Sequence, residues 1–148
     1  MHTCLHKVQY YETDKMNCVH HSNYIRWFEE CRVDYLEKLE LPFESLEAMG
    51  LLSPVLEINC HYHRPCTFGA VVEITAAMVR FDRLRFGFAY RVSDSTDGTL
   101  LAEGSSAHCF LNAEGRPVSL ARSYPALAKR YAAIHAAFCC CFFVFCWN

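Results

Sequence analysis

Two acidic residues separated by one position, Glu12 and Asp14, are the first candidates for chemistry in this chain. Two carboxylates at this spacing can share one side of an extended segment. Close like charges raise the pKa of one of them, which suits a general base. An acidic pair at the end of a strand is more often simply solvated, so the pair alone does not identify a catalytic site.

The segment that follows the pair strengthens the catalytic interpretation. A helix is predicted to begin about eight residues after Asp14, and its first turn, residues 23–26, contains no acidic side chain. The positive end of the helix and its N–H groups are therefore not neutralised by a neighbouring carboxylate. A substrate carbonyl oxygen could be stabilised there as it becomes an oxyanion. In the alternative interpretation, Ser22 or Asn23 caps the helix and nothing binds.

The elements that must position these residues follow from hydrophobic periodicity. Residues 5–11 predict a strand, and apolar positions 24, 28, 31 and 35 predict an amphipathic helix that ends at Pro42. Further elements are predicted as strands over 54–63, 70–80, 84–93 and 99–111 and as short helices over 43–50 and 123–131. One long helix and five strands predict an α+β domain in which the helix packs against one face of an antiparallel sheet.

Composition restricts the functional classes. The chain has 148 residues, a formal net charge of -2 and ten cysteines. These numbers predict one domain and give no electrostatic support for nucleic-acid binding. The cysteines show no metal-type or disulfide-type spacing and no signal peptide opens the chain, so reduced thiols and a cytoplasmic location are expected.

The last residues differ in composition from the rest. We expect the domain to span 1–131, followed by an apolar, Cys- and Phe-rich tail over 132–148. The tail is shorter than the roughly 20 residues that span a membrane. A helix extension at an oligomer interface, or a segment foreign to the domain, is the favoured interpretation, and a membrane anchor is the alternative.

Other polar residues provide weaker signals. His61 and His63 share a strand face near Cys60 and Cys66, but no complete ligand set follows, so neither a metal nor a cofactor is expected. Cys18 is interpreted as loop packing. In the predicted helix, Glu29 is expected to pair with a nearby arginine, Arg26 or Arg32, rather than to orient His21. Asp34 and Lys38 form a favourable i,i+4 pair.

The run from Tyr11 to Glu29 resembles the signature of the 4-hydroxybenzoyl-CoA thioesterase family of hotdog-fold proteins. Its shared features are an acidic residue, any residue and Asp, then a short loop, a His, Asn-Tyr and an aromatic-rich helix that reaches a Glu. Segments 62–69 and 102–117 agree with the family's strand break and last hairpin. The resemblance covers about residues 5 to 131, and it implies a five-stranded antiparallel sheet wrapped around one long helix.

The resemblance also implies residue roles. Asp14 would be the catalytic carboxylate, acting as nucleophile or as base for water. His21 would offer its backbone N–H to the thioester oxygen. The residues expected to contact substrate are Glu12, His20 and Tyr24, with Arg83 and Arg85 at the CoA phosphates. Such enzymes are dimers or tetramers with the site between subunits, so a homodimer or homotetramer is expected.

The sequence departs from the family pattern at three positions. The family usually has Asp where Glu12 stands, which preserves the acid. It commonly has Gly where Asn17 stands, which could alter the loop. It often has Asp where Ala70 stands, so any role of that acid is absent from this chain.

The sequence is compatible with three functions. The leading one is an acyl-CoA thioesterase acting on an aryl or a short to medium aliphatic acyl group, with acyl-carrier protein as an alternative carrier. A hydratase or dehydratase of the same fold could use Asp14 and His21 as a His–Asp pair. A non-catalytic acyl-CoA or acyl-carrier binder is the third. No nucleic-acid or membrane partner is expected.

Overall fold

The structure is a computed structural model, and it describes residues 1–82 and 84–141. Its strands are β1 (His2–Lys7), β2 (Val55–Tyr62), β3 (Val71–Phe81), β4 (Arg85–Asp94) and β5 (Leu100–Cys109). Its helices are α1 (Ser22–Lys38), α2 (Phe43–Ala48), α3 (Leu120–Ser123) and α4 (Pro125–Cys141), with a 3-10 turn at Tyr10–Glu12. The strands form one antiparallel sheet in the order β1-β3-β4-β5-β2. The predicted α+β class with one long helix against a five-stranded sheet is confirmed.

The strand registers define two ends of the sheet. Lys7 pairs with Val71 at the start of β3, and Tyr62 pairs with Ala102 near the start of β5. Both pairs lie at the same end of the sheet, which is called the site end below. The turn between β3 and β4, which precedes Arg85, lies at the opposite end, called the hairpin end. The eleven residues of β3 separate the two ends by about 33 Å, at roughly 3.3 Å per residue.

Helix α1 buries its apolar stripe against the sheet. Trp27, Phe28 and Leu36 are each at most 1% exposed, and the Phe28 ring stacks on Tyr90 at a centroid distance of 4.5 Å. Gly104 in β5 permits this approach. A Cβ atom at that position would lie 2.6 Å from Phe28 Cε2 and 2.3 Å from the backbone oxygen of Asn59. Only the absence of a side chain lets the helix come this close to the strand.

A buried chain of hydrogen bonds crosses β4 and β5. The Tyr90 hydroxyl lies 2.8 Å from Ser106 Oγ, which in turn lies 2.7 Å from His108 Nε2. His108 is fully buried. Burial, reinforced by the positive charge of Arg32 and opposed by the Pro54 carbonyl, lowers the pKa of His108 to about 4. This imidazole is therefore neutral near neutral pH.

The N-terminal strand differs from its prediction. The strand expected over 5–11 instead covers His2–Lys7, and the chain then turns through the 3-10 segment. Local hydrogen bonding explains the difference, because the Glu12 carboxylate accepts a hydrogen bond from the Gln9 backbone N–H at 2.7 Å. This side chain competes with the strand ladder for the backbone.

The C-terminal helix is longer than the segment predicted over 123–131, in agreement with the helix extension that was one favoured interpretation of the tail. Instead of a helix over 123–131, α3 is followed by α4, which Pro125 opens and which continues to Cys141. The alanine-rich stretch 132–137 prolongs it because alanine is the best helix former. Ile134 packs against the core beyond the expected boundary at 131. The last part of the predicted tail, residues 142–148, lies outside the described residues.

Within the described ranges, no helix has both the length and the hydropathy that a membrane crossing requires.

Candidate functional site

Asp14 lies in a tied loop between the 3-10 turn and α1. Thr13 and Val19 form an antiparallel bridge, and the Asp14 backbone N–H donates to the Cys18 carbonyl at 2.9 Å. The loop tightens at Asn17, whose backbone is left-handed with φ of 59°. Asparagine tolerates this region better than most residues. Asn17 therefore adopts a backbone conformation that suits glycine, the residue that the resembled family commonly has at this position.

The Asp14 side chain is half-buried, and one of its oxygens is committed. Oδ1 accepts a hydrogen bond from the Met16 backbone N–H at 2.8 Å and a weaker contact from the Cys18 thiol at 3.7 Å. No described residue donates a hydrogen bond to Oδ2. The carboxylate is thus held by one oxygen while the other remains able to meet a substrate or a water molecule.

Glu12, expected to contact substrate, is 4% exposed and fully engaged in hydrogen bonds. Its carboxylate accepts hydrogen bonds from Trp27 Nε1 at 2.7 Å and from Gln9 N at 2.7 Å, and lies 2.9 Å from His6 Nε2. Burial alone would raise the pKa of Glu12, but these hydrogen bonds outweigh it and hold the pKa below its ordinary value. The raised pKa expected from the acidic pair is therefore not found at Glu12.

The start of α1 is bound to the same turn. The Glu12 carbonyl accepts hydrogen bonds from the His20 backbone N–H and from Asn23 Nδ2, both at 2.8 Å. The helix was expected to be capped by Ser22 or Asn23, and this is wrong. His21 occupies the cap position with helical backbone angles and makes no capping side-chain hydrogen bond. Asn23 is not available as a cap because its side chain anchors the turn.

The helix start keeps a free donor. The first turn of α1 contains no acidic residue. Across residues 1–82 and 84–141, no atom accepts a hydrogen bond from the His21 backbone N–H. The His21 carbonyl, in contrast, accepts a hydrogen bond from the Tyr62 hydroxyl at 3.0 Å. One end of β2 thus fixes the backbone of the residue whose N–H is open to a ligand.

Three side chains of the expected site surround this junction. His20 and His21 are exposed, with ring centroids 4.1 Å apart, and His20 Nδ1 lies 2.9 Å from Ser22 Oγ. Tyr24 is only 3% exposed and packs edge-on against Tyr62 at 5.2 Å. Within one chain the two histidines are therefore accessible to a ligand, whereas Tyr24 is largely covered by protein.

The expected phosphate-binding residues lie elsewhere. Arg85 is exposed at the first position of β4, at the hairpin end of the sheet, whereas Tyr62 and His21 lie at the site end. Arg83 lies outside the described residues. A single chain does not bring Arg85 next to Asp14.

Comparison with protein families places this geometry in context. Residues 8–134 match the model of the thioesterase-like superfamily. The chain belongs to the thioesterase-like superfamily. The match includes the Asp14 loop, α1 and strands β2 to β5. The resemblance to hotdog-fold thioesterases is confirmed, and with it the assignment as a thioester hydrolase.

Two superfamily relatives are similar over most of their length. An esterase-named protein of Aquifex aeolicus (strain VF5) is 34% identical over 114 residues, covering 77% of this chain and 87% of that protein. A Bacillus subtilis (strain 168) protein that carries an acyl-CoA thioesterase name is 28% identical over 120 residues, covering 80% and 86%.

A solved structure agrees with the fold. The DHNA-CoA thioesterase from Staphylococcus aureus superposes with a TM-score of 0.86 at 28% identity, covering 93% of this chain and 92% of that one.

Sequence reasoning missed several residues that support the candidate site in this chain. Tyr62 was assigned only to a strand, although its hydroxyl binds the His21 carbonyl. His6 and Trp27 were assigned only to a strand and a helix, although both contact the Glu12 carboxylate. The spacing of Trp27, fifteen positions after Glu12, does not reveal a contact between different elements. The only sequence signal for these contacts is a side-chain hydroxyl or indole N–H near the end of a strand or helix, and this signal is weak.

Two expected ion pairs have clear outcomes. The Asp34–Lys38 pair is confirmed, with Lys38 Nζ 2.9 Å from Asp34 Oδ2. The expected ion pair of Glu29 is wrong for the part of the chain that the structure describes, where this exposed side chain reaches no cation within 4.0 Å. His63 lies 3.2 Å from Glu103, and the suspected His61–His63 metal pair does not converge with a third ligand among described residues.

Proposed function

We propose that this chain hydrolyses acyl-CoA thioesters, with Asp14 as catalytic carboxylate and the His21 backbone N–H as oxyanion donor. One observation carries the proposal: the tied loop joins a carboxylate with one uncommitted oxygen to an acid-free helix start with one uncommitted N–H. Acyl transfer needs these two groups together.

The chemistry can follow either of two routes. In the nucleophilic route, Asp14 attacks the thioester carbon and the C–S bond breaks, which leaves a mixed anhydride between Asp14 and the acyl group. The CoA thiolate leaves and is protonated by water. A second water molecule then hydrolyses the anhydride. In the base route, Asp14 takes a proton from the water that attacks the same carbon. Both routes place negative charge on the carbonyl oxygen, where the His21 N–H and the positive end of α1 stabilise it.

The proposed active form is a homodimer or homotetramer with the site between subunits. Strand β2 pairs with β5 on one side only among the described strands, and its apolar residues Val55, Leu56 and Ile58 are exposed. A long, apolar, unpaired edge favours pairing with a second copy. Such a copy could bring its own hairpin end, with Arg85, to the CoA phosphates of the first copy's site. The separation of about 33 Å along β3 within one chain supports this arrangement.

The test is turnover of a panel of acyl thioesters, followed by mass-spectrometric detection of the free acid. The panel contains aryl, short-chain and medium-chain acyl groups on CoA and on acyl-carrier protein, and DHNA-CoA because the S. aureus relative bears that name. Asp14→Asn should lower kcat by at least about 100-fold. The control Glu114→Gln removes one exposed charge at a remote turn and should match the parent. Equal turnover by the parent and Asp14→Asn would refute the assignment.

Isotope labelling separates the two routes. In a single turnover in 18O-labelled water, attack of water on the Asp14 carbonyl of a mixed anhydride leaves label in the peptide that contains Asp14. The base route puts the label only in the product acid. An enoyl-CoA in the panel distinguishes a hydratase, which would yield a hydroxyacyl-CoA, and a ligand bound without consumption would identify a non-catalytic binder.

A further inference from the structure

A second group of reactive side chains lies where β1 crosses α1. His2 Nε2 lies 2.5 Å from Asp34 Oδ2, and Cys4 Sγ lies 3.2 Å from each of these atoms. The three donor atoms therefore form a small triangle of nitrogen, oxygen and sulfur. None of these residues takes part in the candidate thioesterase site, and His2 lies at the end of β1 away from Lys7 and the site end.

This donor set has the chemistry of a zinc site. Zinc binds histidine nitrogen and carboxylate oxygen at about 2.0–2.2 Å and thiolate sulfur at about 2.3 Å, with tetrahedral angles. Those bond lengths place neighbouring donor atoms roughly 3.3–3.7 Å apart. The two distances from Cys4 are already close to this range, and a modest opening of the His2–Asp34 contact completes the geometry. The mixed nitrogen, oxygen and sulfur set does not suit calcium or magnesium, which prefer oxygen alone.

The surroundings leave room for an ion and for a fourth ligand. All three side chains are half-buried, and Cys4 and Asp34 line a cavity of about 470 Å³. The same cavity is lined by Cys31 on α1, whose thiol is next to that of Cys4. Either this thiol or a water molecule can occupy the remaining tetrahedral position.

The cluster already attracts a positive charge. The Lys38 ammonium lies 2.9 Å from Asp34 Oδ2 and 3.4 Å from His2 Nε2, so it approaches two of the three donors. The Lys38 side chain is 60% exposed. Among the described residues, its ammonium makes polar contacts only with Asp34 and His2. An exposed lysine held in this way is displaced at little cost. A divalent ion that coordinates all three donors would then replace a single ammonium.

We propose that His2, Cys4 and Asp34 form a binding site for a zinc-class divalent cation that pins β1 to α1. On binding, the Cys4 thiol proton is released to solvent and the thiolate coordinates the ion. The ion is structural rather than catalytic, because its ligands stand apart from Asp14 and His21. It stabilises an edge strand that otherwise depends on β3 and on side-chain contacts with α1.

Cobalt and zinc titrations of the reduced, chelator-treated full chain test this site. Cobalt should bind with one tetrahedral spectrum that includes a sulfur-to-metal charge-transfer band, and zinc should displace it. Cys4→Ser should lower the intensity of that band, and remove it where water is the fourth ligand. It should also weaken binding by at least about 100-fold, because losing a direct ligand costs at least as much as losing a residue that supports one. Cys60→Ser, a matched half-buried thiol on β2, should keep both. Each variant keeps nine of the ten cysteines, and only Cys4→Ser removes a proposed ligand.

A stability measurement gives a second readout. Zinc at 100 times its Kd should raise the Tm of the parent by about 5–10 °C and leave that of Cys4→Ser unchanged. Asp34→Asn provides the same comparison if Cys4→Ser does not fold by circular dichroism. Removal of zinc should lower the Tm of the parent without changing thioester turnover. Identical cobalt spectra and affinities in the parent, Cys4→Ser and Cys60→Ser, or no zinc-dependent rise in Tm, would overturn the proposal.

Discussion

The Tyr62 hydroxyl donates a hydrogen bond to the His21 backbone carbonyl over 3.0 Å, joining β2 to the start of α1. Burial, assisted by neighbouring Cys60, raises the pKa of Tyr62 to about 12, so the phenol remains a donor throughout the neutral range. The bond fixes the orientation of the peptide group on which the proposed oxyanion donor depends. We therefore predict that Tyr62 acts as a positioning residue.

Tyr62→Phe should lower kcat by about tenfold with little change in KM, because the donor geometry matters most when charge develops on the oxygen. Tyr124→Phe is the matched control, since its hydroxyl donates to the Met49 carbonyl at the same 3.0 Å but far from the site. Both variants should lose about 1 kcal/mol of unfolding free energy. If the two variants have equal kcat, the positioning role is wrong.

The proposed shared site predicts complementation between two defective proteins. Asp14→Asn lacks the carboxylate, and the double variant Arg83→Ala with Arg85→Ala lacks the phosphate contacts. A dimer with one subunit of each kind contains one intact site, so an equal mixture allowed to exchange subunits should recover roughly a quarter of parental activity. Initial rates before and after exchange measure this recovery.

The control for complementation is the same mixture without subunit exchange, which should show only the sum of the two residual activities. A mixture that stays at that sum after exchange, verified by mass spectrometry of the assembled dimers, would place each site within a single subunit.

Glu12→Gln should destabilise the fold more than it affects substrate affinity. The amide of glutamine has only one oxygen acceptor for three donors, so the free energy of unfolding should fall by about 1–3 kcal/mol. The pKa of Glu12 in the folded protein lies below its ordinary value. The ionised carboxylate therefore stabilises the fold at pH values above the ordinary pKa. This contribution is lost as the pH falls below about 4.5.

Urea unfolding of the parent and the variant at pH 7 and pH 3 measures this effect. Glu114→Gln, an exposed position, should show the parental free energy at both pH values. A tenfold rise in KM for Glu12→Gln without loss of stability would instead support the expected substrate contact.

The buried imidazole of His108 predicts a second loss of stability, at higher pH. Its folded pKa is about 4, and the unfolded value is 6.5. Between these values only the unfolded chain is protonated, so the free energy of unfolding should fall as the pH drops from 6.5 to 4, by about 3 kcal/mol in total, and then level off. His108→Gln should be less stable at pH 7 but should lose this part of the pH dependence.

The check is a series of urea unfolding curves from pH 7.5 to pH 4. His61→Gln removes an exposed imidazole from β2 and should retain the parental slope. A parental slope in His108→Gln would show that other groups cause the pH dependence.

Much of the fold could be predicted from periodicity. The α1 stripe and the four later strands were found within a few residues because apolar side chains recur at the spacing of buried faces. Strand β1 could not be bounded in this way, because the Glu12 side chain diverts the backbone after Lys7. The end of helix α4 could not be bounded because an alanine-rich segment carries no amphipathic signal, although a helix extension was among the favoured interpretations of the tail.

The candidate site was predicted only in part, because several of its contacts join residues that are distant in the sequence. Residues contiguous in sequence, from Asp14 to His21, could be recognised as a unit. The burial of Glu12 depends on Trp27 and His6, and the orientation of His21 depends on Tyr62, 41 positions away. Contacts of this kind are set by tertiary packing, for which spacing in the chain contains no information.

The tied loop at Asp14 also has a consequence for protein engineering. The hydrogen bonds that fix this carboxylate and the start of α1 begin and end almost entirely within residues 12–23. That segment is a compact cassette, and it is the natural unit to transplant when a carboxylate and a helix start are to be grafted onto another sheet-and-helix scaffold. Trp27 and Tyr62 would have to accompany it, because they hold the cassette at the correct angle to its support.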